Sequence, residues 1–356
     1  MRTPMILLLL IYFTYLLTGC SFTDKNTVEE MAPVTFLAVE EGEDKGSLTV
    51  STLVPPAMNE ERQFFSAKVR LLEQARKEFN MKYHREVRLG QLRILFIDEK
   101  IARSGIVSLI DMFLTDPEVS HRVFLVVMKG DIEAFVKNQM KKQKDLDYYL
   151  YRMLKHYEKD NQGEITVTNI HEFMEKSYTP FSDPFMPVYD IDKDSFKYEG
   201  TGFFSNGKLN GETDKDQDQI FQLLRHTKFL KNMVIDPLDV SLGEVRSKVE
   251  TQVNLIDHTV TLKVHYRANI DEYRGTKTLD SQTSFYQLKD EIELYLEKEN
   301  VSLLKKFQEL KVDPLEIGRQ TISPISKPMS EEDWRKFWAN ANIKVECHLK
   351  LEPLSI

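Results

Sequence analysis

The first twenty residues, MRTPMILLLLIYFTYLLTGC, constrain this chain more than any others. Arg2 and the free amino group give a short positive start, and Met5–Leu17 follow as thirteen apolar residues interrupted only by Thr14. A bilayer span needs about 20 residues, so the run has the length of a secretory h-region. It ends in Leu17-Thr18-Gly19-Cys20, the order of a lipobox. Small residues before the cysteine fit a narrow peptidase pocket, and the thiol takes a diacylglycerol before cleavage between Gly19 and Cys20 exposes the amine. An uncleaved anchor and an ordinary signal with a chance cysteine are the alternatives, but n-region, h-region and lipobox stand here in the required order. Residues 1–19 then read as a lipoprotein signal peptide, Cys20 as the lipidation site and 20–32 as a polar tether. Two acyl chains at ~0.8 kcal/mol per buried methylene anchor stably where one is marginal. The mature chain is expected to sit outside the membrane, with no transmembrane helix.

Removal of 19 residues from 356 leaves 337, enough for two or three domains at roughly 100–200 residues each. Apolar residues at 41% and charged residues at 29% allow real cores. The balance of 48 basic against 56 acidic residues, −8 overall, argues against a nucleic-acid binder held by a broad basic surface. Two cysteines exclude a disulfide framework and a thiolate zinc cluster. With Cys20 lipidated, Cys347 in IKVECHLKLEP reads as a buried structural thiol.

Beyond the tether the pattern is mixed. A strand pair is expected at Pro33–Val39 and Ser47–Val54, then a helix over Asn59–Met81 with Phe65, Val69, Leu72 and Phe79 on one face. LRILFI at 92–97 and VFLVVM at 123–128 read as buried strands, each followed by a helix, Ile101–Leu114 and Asp131–Tyr157. Pro180, Pro184 and Pro187 stiffen TPFSDPFMP and mark the expected domain boundary. Strands at Val188–Ile191 and Thr201–Ser205 with an Asn206-Gly207 turn come next, then helices at Gln219–Phe229 and Leu242–Val249. VTLKVHYR at 260–267 alternates as a strand, a long helix begins near Leu288, and Ile343–Leu351 closes as a strand. The expected fold class is α/β, or mixed α+β, with mixed β-sheets and packed helices. The domains are 33–186 (α/β), 187–240 (β-rich) and 241–356 (α/β).

The motif look-alikes are weak. Asp190, Asp192 and Asp194 have the spacing that opens an EF-hand, but the loop's glycine and glutamate positions hold Ser195 and Thr201. Asp214, Asp216 and Asp218 offer Gln219 and Arg225 there, so both runs read as solvated acidic turns. The eight histidines show no metal-ligand spacing, and His258 and His265 would point to opposite faces of a strand. There is no G-x-S-x-G, P-loop or G-x-G-x-x-G, so no catalytic residue, metal site or cofactor is assigned. Phe181, Phe185, Tyr189, Phe196 and Tyr198 are expected to pack domains together rather than to recognise a ligand. Trp334 and Trp338 share a helix face expected to bury against the closing strand, behind a Ser330/Asp333 cap.

The order of these features resembles the Ger(x)C family, the C subunits of spore germinant receptors. The lipobox is followed by SLTVSTLVPP, LGQLRILFIDEKIARSGI and DPEVSHRVFLVVMKG. YEGTGFFSNGKLNGE at 198–212 is similar to the family's G-T-A-V-F-x-x-D-K-L-V-G-E segment, and DEIELYLEKENV and the tryptophan-bearing helix extend the likeness. Gly200, Gly202, Gly207 and Gly211 match its glycines, with turn geometry the expected reason. Ser21-Phe22-Thr23-Asp24 departs from the usual Trp-Asp, Thr115 stands where an arginine is common, and IGRQ at Ile317 replaces an F-G-x-G-like pattern. The resemblance implies a three-domain lipoprotein without catalytic activity or cofactor other than its lipid. It would assemble with an A subunit and a transporter-like B subunit in the spore inner membrane, where a nutrient triggers germination. A solute-binding lipoprotein of a membrane importer is the alternative, and a surface hydrolase with an unrecognised site ranks behind it.

Overall fold

The computed structural model describes residues 30–54, 56, 61–143, 146–159, 163–225, 229–279, 281–322 and 329–352. The fold is mixed α+β, as the sequence pattern predicts. Its larger sheet takes β2 (Phe36–Glu41), β3 (Leu48–Val54), β4 (Gln63–Val69), β6 (Ile94–Asp98), β7 (Phe124–Gly130), β8 (Phe185–Ile191), β9 (Phe196–Ser205) and β10 (Lys208–Glu212). The order is β10-β9-β8-β7-β6-β2-β3-β4, and β1 (Met31–Pro33) pairs separately with β5 (Glu86–Arg88). The four inner strands β2, β6, β7 and β8 are parallel, while the pairs outside them are antiparallel. Parallel strands are covered on both faces, which explains the unbroken apolar runs ILFI and FLVVM. Leu95, Ile97, Leu125 and Val127 meet α1 (Leu72–Lys82), α3 (Val107–Thr115) and α6 (Ile170–Tyr178). Ile94, Phe96, Phe124 and Val126 meet α4 (Ile132–Gln139) and α5 (Leu146–Lys159) on the other side. A short helix, α2 (Glu99–Ser104), leads into α3.

The second sheet runs β11 (Phe229–Ile235), β12 (Val240–Asn254), β13 (Thr259–Tyr273), β14 (Asn342–Glu352), with only β13–β14 parallel. Helix α8 (Gln282–Leu310) places Leu288, Ile292, Leu296, Leu303 and Phe307 on one buried stripe against it. α7 (Lys215–Leu224) and α9 (Glu331–Asn340) complete that core. The two sheets are not separate bodies. Phe203 of β9 lies 5.0 Å from Phe221 of α7 and 4.9 Å from Phe307 of α8, and Phe185 of β8 lies 5.2 Å from Phe221. Among the described residues no helix is long and apolar enough to cross a membrane.

Several expectations are corrected here. The boundary at 186/187 falls inside β8, where Pro187 pairs with Thr201 of β9. The proline rigidifies the entry to a strand, and one continuous sheet carries the chain from the expected first domain into the second. Residues 63–69 form a strand rather than helix, with Ala67 and Val69 buried at alternate positions. Leu242–Val249 belongs to β12. A bulge between Gly243 and Arg246 shifts its phase, so buried Leu242, Val245 and Val249 mimic helical spacing. The expected helix Ile101–Leu114 is broken at Gly105, whose φ of 129° no helix continues.

Candidate functional site

The lipidation assignment, Cys20 with cleavage after Gly19, lies outside the described residues, as does most of the tether. Within them, three constellations concentrate the polar chemistry.

The first stands at the carboxyl ends of the parallel strands, where open α/β sheets form their crevices. Glu40 is the penultimate residue of β2, Asp98 ends β6 and caps α2, and Asp131 follows β7 and caps α4. Burial, then the charges of Asp131, Asp98 and Glu133, push the Glu40 carboxyl up to about 7. No group of three or more His, Cys, Asp or Glu side chains able to hold a metal occurs among the described residues.

The second is a buried network behind β9. Asp218 of α7 accepts hydrogen bonds from Tyr198 (2.6 Å), Thr201 (2.5 Å) and Thr213 (3.1 Å), and Thr166 bonds to both Thr201 and Gln222. Burial raises the Asp218 carboxyl, against the pull of those three hydroxyls. Asp218 was expected in a solvated turn and is 3% exposed. Its run is split: Asp214 caps α7 by accepting from the Gln217 amide, and only Asp216 remains as a first-turn charge. Of the other run, Asp190 lies in β8, while Asp192 and Asp194 sit in the exposed hairpin turn, where Asp194 pairs with Lys142 at 2.6 Å.

The third pins the two sheets together. Asp313, at the end of α8, accepts from the amides of Ile317 and Gly318 (both 2.8 Å) and from Trp334 Nε1 (3.1 Å). Its own amide donates to Asp183 Oδ2 at 2.7 Å, and Arg335 pairs with Asp183 at 3.1 Å. Lys176 of α6 pairs with Glu316 at 2.5 Å. Burial, with Asp183 adding to it, holds Asp313 up near 7 despite its N–H donors.

The predicted aromatics divide between these places. Phe181, edge-on to Trp334 at 6.3 Å, and Phe185 do join the units. Tyr189 instead stacks on Phe196 at 4.3 Å inside the first unit, and Tyr198 serves the Asp218 network. Trp334 and Trp338 are buried, but against the turn after α8: Trp338 Nε1 donates to the Val312 carbonyl at 2.9 Å. Ser330 caps α9 by accepting from the Asp333 amide. Cys347 is buried, and burial pushes its thiol up to about 12, as suits a structural group rather than a nucleophile. His265 stacks on His348 at 5.2 Å across β13–β14, whereas His258 lies in the turn before β13 and packs on Phe337. Of the four matched glycines, only Gly207 (φ 73°) is in a turn. Gly211 is needed for close approach, since a Cβ there would lie 2.5 Å from Leu310 of α8.

Two family models cover nearly all of this architecture. The spore germination protein N-terminal domain matches residues 24–191, and the spore germination B3/GerAC-like C-terminal domain matches 199–353. The chain belongs to the GerAC-like family of germinant-receptor C subunits. The join between the two GerAC models falls at the β8–β9 hairpin, inside the large sheet. The spore germination protein GerQC of Bacillus cereus is 22% identical over 97% of both chains. The putative spore germination protein YfkR of Bacillus subtilis (strain 168) is 19% identical over 93% of this chain and 91% of its own. The crystal structure of the GerBC protein superposes with a TM-score of 0.52 at 14% identity, over 90% of this chain and 97% of that one, and so shares the fold.

Proposed function

We propose that this chain is the lipid-anchored, non-catalytic C subunit of a nutrient germinant receptor. A diacylglycerol on Cys20 holds it at the outer face of the spore inner membrane. There it supports assembly with the A subunit and the transporter-like B subunit, and the signalling that starts germination. One observation carries the reading: the lipobox cysteine stands at residue 20, immediately ahead of the family match that begins at residue 24. An anchor placed there leaves the whole family architecture exposed on one side of the membrane, tied by a short polar segment. The buried Cys347 thiol fits a structural role.

The test is recovery of the lipidated chain from spore inner membranes, with its partners identified by mass. Co-recovery of a polytopic transporter-like protein and a second membrane-embedded subunit is expected, whereas an ATP-driven permease would instead identify an importer. Cys20→Ala is expected to leave the soluble fold intact and to lose both membrane retention and germination. Normal germination by that unlipidated form would refute the anchor's role.

A further inference from the structure

Between α1 and α3 a cavity of about 150 Å³ opens over the large sheet. Leu37 of β2 and Val50 of β3 form its floor. One wall is the apolar face of α1, where Leu72, Ala75 and Phe79 recur at helical spacing, and Val87 of β5 adds another. Ala75 leaves the room, since it is buried and brings only a methyl group to the wall. Phe79 is held in place by its stack on Phe65 at 5.8 Å, and Phe65 in turn meets Tyr83 edge-on at 5.6 Å. Water suits such a space poorly, because a buried water needs two to four polar partners. An engineered apolar cavity of about 150 Å³ stays dry and takes up benzene.

The mouth decides the charge of the ligand. The polar residues of the lining, Glu73, Arg76 and Asp116, are exposed or half-buried, whereas Leu37, Val50, Ala75, Phe79 and Val87 are buried. Arg76 pairs with Glu73 at 2.8 Å, and the charges of Glu118 and Asp116 act on it as well. Asp116 also accepts from the Glu118 amide at 2.9 Å, and Glu118 pairs with Arg88 at 2.5 Å. These charges are already engaged with one another, so an ionised ligand would have to break one of their contacts and still desolvate against apolar walls. A neutral ligand meets neither cost. Met112 is 44% exposed and lines the same opening, where its unbranched side chain can move aside and close over a guest. We propose that this cavity binds a small neutral apolar molecule, the size of a single six-membered ring, with Met112 at its entrance. The site goes beyond the receptor-subunit reading and does not rest on it.

The test follows the Met112 methyl signal by NMR in the detergent-solubilised full-length chain carrying ¹³C-methyl methionine, with Met112→Leu to assign the signal. Benzene is supplied as vapour at fixed activity, so that uptake by detergent leaves its free concentration unchanged, and benzoate and benzylamine are supplied by dialysis. A saturable shift with benzene is expected, with the two ions weaker by about tenfold or more. Ala75→Leu fills the cavity from α1. It should leave the melting temperature unchanged or higher and weaken benzene binding by about tenfold or more. If that variant fails to fold, Val87→Ile decides, since it adds one methylene from β5 and should weaken binding by about fivefold or more. The proposal is overturned if the Met112 methyl shows no saturable shift below about 10 mM benzene, if either ion binds more tightly than benzene, or if a folded cavity-filling variant binds as the parent does.

Discussion

At the residue scale, Glu40 shows how position sets chemistry. An ordinary glutamate titrates near 4.5, but in the folded chain burial and three neighbouring carboxylates move Glu40 to about 7. The folded state therefore holds this proton more tightly than the unfolded chain does. The stability it contributes is complete below about pH 4.5 and is lost as pH rises through about 7. Glu40→Gln removes the charge while keeping the shape. At pH 8 the variant should be more stable by about 1 kcal/mol, a value discounted for the side chain's partial exposure, and at pH 4 it should match the parent. Thermal melts at the two pH values check this, and an equal shift at both would mean that charge is not the cause. Nothing in the local sequence around Glu40 announces this shift, because Asp98 and Asp131 reach it only through the parallel order β2-β6-β7. The His265–His348 stack was equally hidden, since its partners are joined by the parallel register of β13 and β14.

At the scale of elements, the sequence was legible wherever apolar spacing and turn chemistry agreed. Strands β6, β7, β13 and β14, helix α8 and the Asn206-Gly207 hairpin lie where spacing and turn residues put them. It misled where a bulge altered the phase, as in β12, and where Phe65, Val69, Leu72 and Phe79 joined a strand and a helix into one apparent face. The tryptophan helix was visible but its partner was not. Trp338 stacks at 5.9 Å on Trp334 and bonds to Val312, placing α9 over the turn that Asp313 organises. Trp338→Ala should cost about 3–5 kcal/mol as a large core truncation. Trp338→Phe, which keeps an aromatic ring but loses the Nε1 donor, should cost less. Denaturant unfolding ranks the two, and an unchanged midpoint for the alanine variant with lost partner recovery would place Trp338 in an interface.

At the scale of the whole molecule, the two family matches suggest two modules, and the packing argues for one. Chains of this length often unfold domain by domain. Here Phe203 belongs to the large sheet by its backbone and to the second core by its ring contacts with Phe221 and Phe307. Asp183 and Lys176 of the first unit are held by Arg335 and Glu316 of the second. Removal of either unit would bare these aromatics and strand partly buried charges, so neither has a complete surface alone. Calorimetry of the intact chain should therefore show one transition. Phe203→Ala, at a cost of about 3–5 kcal/mol, should move that whole transition down, because the lost ring contacts bind the units to each other. Two resolved transitions, with only the later-melting one displaced by Phe203→Ala, would mean that the shared core is a contact between independent domains.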